Sequence, residues 1–202
     1  MVNNRIVFKP RERILKSLIE DKTPKSILSL SGSVVIDYKN TYNYLKDFTA
    51  SGAIIQNQLG NTNLVEINFS PNPEIYSVEK KRTEEFLYKN PKLKIVKNYI
   101  EELNYPFLVA LIFGSYVKDK KTESSDVDIC IILDDKNKSK ELQEKFNLLS
   151  LKLEIHEFTT NEFISMIEKA QNNLGHEIIK NNVLLYGIEN YYNLISKWMK
   201  KE

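Results

Sequence analysis

Two aspartates one residue apart, Asp126 and Asp128, stand at the start of the apolar run Val127-Asp128-Ile129-Cys130-Ile131. If this run is a strand, its side chains alternate, so both carboxylates share one face while Val127, Ile129 and Ile131 take the other. Like charges that close repel unless they face water or a divalent cation, and hard oxygen donors suit Mg²⁺ or Mn²⁺. An Asp-x-Asp at a strand edge can also simply end a sheet in water. What argues against that reading is an earlier apolar run, Phe107 to Phe113, which ends in Gly114-Ser115. Glycine lets backbone approach a ligand closely, and a serine followed by free backbone N–H groups can hold phosphate oxygens.

Ten residues separate Gly114-Ser115 from Asp126. This spacing resembles that of the nucleotidyltransferase superfamily related to DNA polymerase beta, specifically its minimal nucleotidyltransferases. The stretch from His176-Glu177-Ile178-Ile179 to Leu184-Leu185-Tyr186-Gly187 is similar to the tail of archaeal and bacterial members, so the resemblance covers about residues 90 to 195. It implies that Gly114, Ser115 and Ser125 lie on the nucleotide side, and that Asp126 and Asp128 hold the catalytic metals, Mg²⁺ or Mn²⁺. The family's third carboxylate lies on a following strand. Lys152, Glu154 and His156 share one face of the run Leu151 to Phe158, which makes Glu154 the candidate for metal and base, with Glu157 or no residue as the alternatives. The usual residue there is aspartate, so Glu154 is a departure.

The resemblance implies transfer of a nucleoside monophosphate, with AMP from ATP as the expected case, to a hydroxyl acceptor. One acceptor class is a partner protein, as in the family's antitoxins that modify a helical toxin. Lys118, Lys120 and Lys121 follow the Gly-Ser turn and could reach a triphosphate or be only solvated. Cys130, between Ile129 and Ile131, reads as a buried inert thiol. His156 shares the proposed active face, whereas His176, and Tyr191, Tyr192 and Trp198 of the last helix, read as structural.

The elements that must position these residues follow from periodicity. Asn90-Pro91 opens a helix with Leu93, Val96, Ile100 and Leu103 on one face, and another carries Leu142, Phe146 and Leu149. Strands are expected at Phe107–Phe113, Val127–Leu133 and Ser150–Phe158, then helices from Asn161 to Ala170 and near Ile178, a short apolar run at Val183–Tyr186, and a helix from Tyr191 to Lys200. The expected fold class is therefore mixed α/β (α+β), a small mixed sheet flanked by helices over residues 81–202.

Residues 1–80 have a different grammar. A helix is expected from Arg11 to Asp21, a second from Lys25 to Leu30 with Thr23-Pro24 as its cap, a turn at Ser31-Gly32-Ser33, and a third helix from Asp37 to Ala50. Two strands, Ile54–Gln58 and Asn63–Phe69, flank a Gly60 loop, and a polar helical connector starts at Glu79. The order resembles a winged helix-turn-helix domain, with Thr41 to Phe48 as its recognition helix. That resemblance implies that Lys39, Asn40, Asn43 and Lys46 would enter a DNA major groove; docking or dimerisation is the other use of such a domain, and the oligomeric state is left open.

Composition narrows the classes. Over 202 residues, 29 basic and 27 acidic side chains leave a net charge of +2, and 42% apolar content is ordinary for a globular chain. Residues 1–80 hold 10 basic and 8 acidic side chains, and 81–202 hold 19 of each, so polyanion binding needs a local patch or recruited cations. The longest apolar run has seven residues, far below the roughly 20 of a membrane helix. With no secretory signal and one cysteine, the expected location is the cytoplasm.

Overall fold

The computed structural model describes residues 6–118, 122, 125–169 and 172–199. The chain divides into two compact units, Met1–Arg82 and Thr83–Glu202.

In the first unit, helix α1 (Pro10–Glu20) buries Ile14, Leu15, Leu18 and Ile19. A two-residue strand, β1 (Lys25–Ser26), leads into α2 (Ile27–Val34) and α3 (Tyr38–Ala50), then the hairpin β2 (Ile54–Leu59) and β3 (Thr62–Ile67). The sheet is antiparallel in the order β1-β3-β2, with Leu59 opposite Thr62 across a Gly60-Asn61 turn. Leu30, Leu45, Phe48, Val65 and Ile67 join the α1 residues in the core.

Two sequence expectations fail between Thr23 and Ser33. Residues 25 and 26 are not helical: Lys25 pairs with Val65 and Ser26 with Leu64, adding a third strand to the hairpin. The helix cap is Ser26, whose side chain accepts from the Ser29 N–H at 3.1 Å, rather than Thr23. Nor is Ser31-Gly32-Ser33 a turn. The hydroxyls of Ser31 and Ser33 donate to the carbonyls of Leu28 and Leu30, three residues back, so both serines are absorbed into α2.

Helix α4 (Pro73–Lys89) begins six residues before the connector read from the sequence. Asn72 starts it: its side-chain oxygen accepts from the Glu74 N–H at 2.9 Å, and its amide donates to the Ser51 carbonyl. Its polar run is partly interior. Glu79 is 1% exposed and Arg82 5%; they pair with each other, and Arg82 Nε also lies 3.6 Å from Glu20 Oε1. Burial and the nearby Arg82 guanidinium push the Lys22 ammonium down to about 8.

In the second unit a single turn of 3₁₀ helix, Pro91–Leu93, precedes α5 (Lys94–Glu102). Strands β4 (Val109–Phe113) and β5 (Val127–Ile132) follow, then α6 (Lys136–Asn147), β6 (Leu153–Phe158), α7 (Thr160–Ile167), α8 (Leu174–Lys180), β7 (Asn182–Tyr186) and α9 (Ile188–Met199). The sheet order is β6-β5-β4-β7, with β5 and β6 parallel and the other pairs antiparallel. This is a small mixed sheet flanked by helices. The parallel pair requires a crossover, which α6 supplies. Val127, Ile129 and Ile131 of β5 pack in one core with Val96 and Ile100 of α5 and Leu142 and Phe146 of α6. With that face of β5 covered, Asp128 and Cys130 are directed to the other by alternation. No described helix is long and apolar enough to cross a membrane.

Candidate functional site at the ends of β4, β5 and β6

The site is assembled by register. Because β5 and β6 are parallel and in step, Asp128 lies beside Glu154, and Cys130 beside His156. One donor atom each from Asp128, Glu154 and His156 falls within 4.8 Å of the other two. His156 Nε2 is 3.4 Å from Glu154 Oε1, and its ring lies 5.3 Å from the Phe113 ring at the end of β4.

Strand β4 delivers the Gly-Ser turn to the same place. Gly114 has φ +70°, a conformation that favours glycine, and opens one turn of 3₁₀ helix through Tyr116. A Cβ at this position would stand 2.0 Å from Asp128 Oδ2. Glycine is thus required twice, by its own backbone and by the carboxylate against it. The Ser115 N–H donates to Asp128. What approaches the glycine closely is therefore the chain's own aspartate.

Electrostatically the arrangement is costly. Burial first, and then the negative charge of Glu154, push the Asp128 carboxyl above its ordinary range, while His156 and the Ser115 N–H act the other way. Among the described residues neither Asp128 nor Glu154 has a lysine or arginine ion-pair partner.

The remaining sequence candidates separate around this cluster. Asp126 is exposed, one residue before β5, and is not part of the three-residue group. Ser125 accepts from the Thr122 N–H at 2.8 Å, which ties it to its own loop. Glu157 alternates to the face opposite Glu154 and accepts from the Ser139 hydroxyl at 2.6 Å, so β6 presents Glu154 to Asp128 and not Glu157. Lys118 forms an ion pair with Glu177 of α8 at 2.8 Å; Lys120 and Lys121 lie outside the described residues. Burial pushes the Cys130 thiol up, away from thiolate formation. His176 contacts the Ile167 carbonyl at 3.0 Å, and Tyr191 and Tyr192 are buried edge to face.

Sequence reasoning weighed His156 only as a sharer of the active face; the in-step register of the parallel strands puts it in the donor cluster. The donor set fits a divalent cation. Trans ligands of one ion stand about 4.2 Å apart and adjacent ones about 3 Å, so donor atoms within 4.8 Å of one another can close on a single cation with side-chain shifts of about 1 Å.

In the first unit, Lys39, Asn40, Asn43 and Lys46 all lie exposed along α3. The Asn40 N–H caps the helix through Asp37 at 2.9 Å.

Residues 94–191, from the start of α5 into α9, match the family model described as Polymerase beta, Nucleotidyltransferase. The matched span contains the whole four-stranded sheet and the Asp128 cluster, and it supports the nucleotidyltransferase superfamily and a general nucleotidyltransferase function for this part of the chain. No curated protein matches the chain.

Proposed function

We propose that the second unit is a metal-dependent nucleotidyltransferase that moves a nucleoside monophosphate, with AMP from ATP as the leading case, to a hydroxyl acceptor. The observation that carries this reading is the convergence of Asp128 and Glu154 beside the Gly114-Ser115 turn, with no lysine or arginine ion pair to either among the described residues. Asp126, Asp128 and Glu154 would hold Mg²⁺ or Mn²⁺, and Gly114, Ser115 and Ser125 would lie on the nucleotide side. A bound divalent ion offsets triphosphate charge and lowers the pKa of an attacking oxygen.

The acceptor oxygen forms a bond to the α-phosphorus while the α–β phosphoanhydride bond breaks and pyrophosphate leaves. The hydroxyl proton passes to a carboxylate, for which Glu154 is placed on the exposed side of the cluster. The turn at Gly114 keeps Asp128 oriented through the Ser115 N–H.

For the acceptor, the leading case is a serine, threonine or tyrosine hydroxyl of a partner protein, such as a small helical toxin. Incubating the full chain and its co-purifying proteins with α-labelled ATP and a divalent cation should label the partner. Asp128→Asn should abolish the label; label that persists would overturn the site assignment.

A second reading concerns the first unit, residues 1–80 by sequence, as a winged helix-turn-helix that binds DNA, with nucleotide held but little turned over in the second. The exposure of Lys39, Asn40, Asn43 and Lys46 along α3 favours it. A salt-dependent gel shift on the DNA upstream of its own gene, lost in Lys39→Ala with Asn43→Ala, would support it; no shift at low salt would remove it.

A further inference from the structure

The third member of the donor cluster is an imidazole, and it changes which ion the cluster should prefer. We propose that His156 is a direct metal ligand, and that it biases the site toward a first-row transition-metal dication, Mn²⁺ in the first instance, over Mg²⁺. The proposal rests on the reading above that Asp128 and Glu154 hold a metal.

Three observations carry it. First, His156 is fixed in place by the fold: it lies two residues after Glu154 on β6, in register with Cys130, so it shares the strand face of Glu154 and Asp128. Second, the imidazole packs against the Phe113 ring, with centroids 5.3 Å apart and planes tilted by 59°, which restricts its rotation. Third, its donor nitrogen and a carboxylate oxygen from each of Asp128 and Glu154 all lie within 4.8 Å of one another, close enough to enter a single coordination sphere after side-chain shifts of about 1 Å.

The chemistry then follows from ligand type. Mg²⁺ takes oxygen donors, whereas imidazole nitrogen suits first-row transition metals, whose affinity for mixed N/O sites rises from Mn²⁺ through Cu²⁺. Carboxylates alone discriminate weakly between Mg²⁺ and Mn²⁺; one nitrogen in the set is the discriminating ligand. A simple Glu154–His156 ion pair would predict something different. His156 would then be occupied by Glu154, and its removal would leave metal preference unchanged.

The test uses the full chain. Mn²⁺ binding is measured by the electron paramagnetic resonance signal of the free ion, with Mg²⁺ as competitor, and a spin-echo experiment on bound Mn²⁺ reports any directly coordinated nitrogen. Wild type should show ¹⁴N modulation and should prefer Mn²⁺ over Mg²⁺. In His156→Ala and in His156→Asn the modulation should vanish and Mn²⁺ affinity should fall about tenfold or more, while Mg²⁺ affinity stays within about twofold. Two variants are needed because His156 packs on Phe113; unchanged circular dichroism in either one suffices for the comparison. Absent ¹⁴N modulation in wild type, or an unchanged Mn²⁺ to Mg²⁺ ratio in the folded variants, overturns the proposal. Asp128→Asn separates the two readings. If it abolishes metal binding while the His156 variants alter nothing, only the imidazole role fails; if metal binds equally well without Asp128, the carboxylate site fails with it.

Discussion

Two clusters of charge among the described residues, one in each unit, are arranged differently. In the first unit Glu79 and Arg82 are almost fully buried, but each is the other's partner, with Glu20 adding a second carboxylate to the guanidinium. In the second unit Asp128 and Glu154 are brought side by side by strand register, and among the described residues no lysine or arginine answers them. The first arrangement sets opposite charges against each other within the chain. The second sets two carboxylates side by side and pushes the Asp128 carboxyl up, and such a cluster is a stronger pointer to a ligand than a polar surface such as that of α3, where Lys39, Asn43 and Lys46 are exposed.

The sharpest way to break this comparison is to neutralise each place. In Asp128→Asn, nucleotide transfer should fall by on the order of 10³-fold, the scale of losing one group that stabilises charge in a transition state. Asn43→Ala on α3 should leave transfer unchanged. The same Asp128→Asn substitution should not lower the unfolding midpoint and should raise stability by up to about 1 kcal/mol, because it removes a repelled carboxylate while keeping an acceptor for the Ser115 N–H. Arg82→Ala should do the opposite, costing about 3–5 kcal/mol in denaturant unfolding, since it removes the guanidinium paired with buried Glu79. If both substitutions destabilised alike, the contrast between a satisfied and an unsatisfied pair would be lost.

A smaller effect is expected at the turn. Gly114→Ala forces a side chain into a left-handed backbone and against Asp128 Oδ2, and should cost about 1–2 kcal/mol from the backbone alone. Combining it with Asp128→Ala should recover the part that comes from the clash.

The mildest effect is in pH. Lys22 in the folded chain loses its proton near 8, whereas its ordinary value is 10.5. Between those values the unfolded chain binds more protons than the folded one, so stability rises with pH across that window and the burial cost remains in full below it. Unfolding at pH 7.5 and 9.5 should show this rise in wild type and a flatter response in Lys22→Met.

The second unit was legible in outline because its strands are strongly apolar and the Gly114-Ser115 to Asp126-x-Asp128 spacing is local in sequence. Glu154 was reachable by alternation along one strand. The same alternation put His156 on that face; what it could not give, for either residue, is the distance to Asp128, which depends on the in-step register of β5 and β6. In the first unit Lys25–Ser26 escaped because a two-residue strand has no periodicity, and the serines of α2 read as a turn although their hydroxyls bond back into the helix. Glu79 and Arg82 looked like a solvated charge run; an i, i+3 pair looks the same in sequence whether it faces water or the interior.

The most direct test of the central claim is the affinity of the full chain for ATP, measured by calorimetry with a divalent cation, after chelation, and in Asp128→Asn. ATP should bind wild type only in the presence of the cation, and binding should vanish both with chelator and in the variant. ATP affinity that survives chelation and the loss of Asp128 would contradict the account.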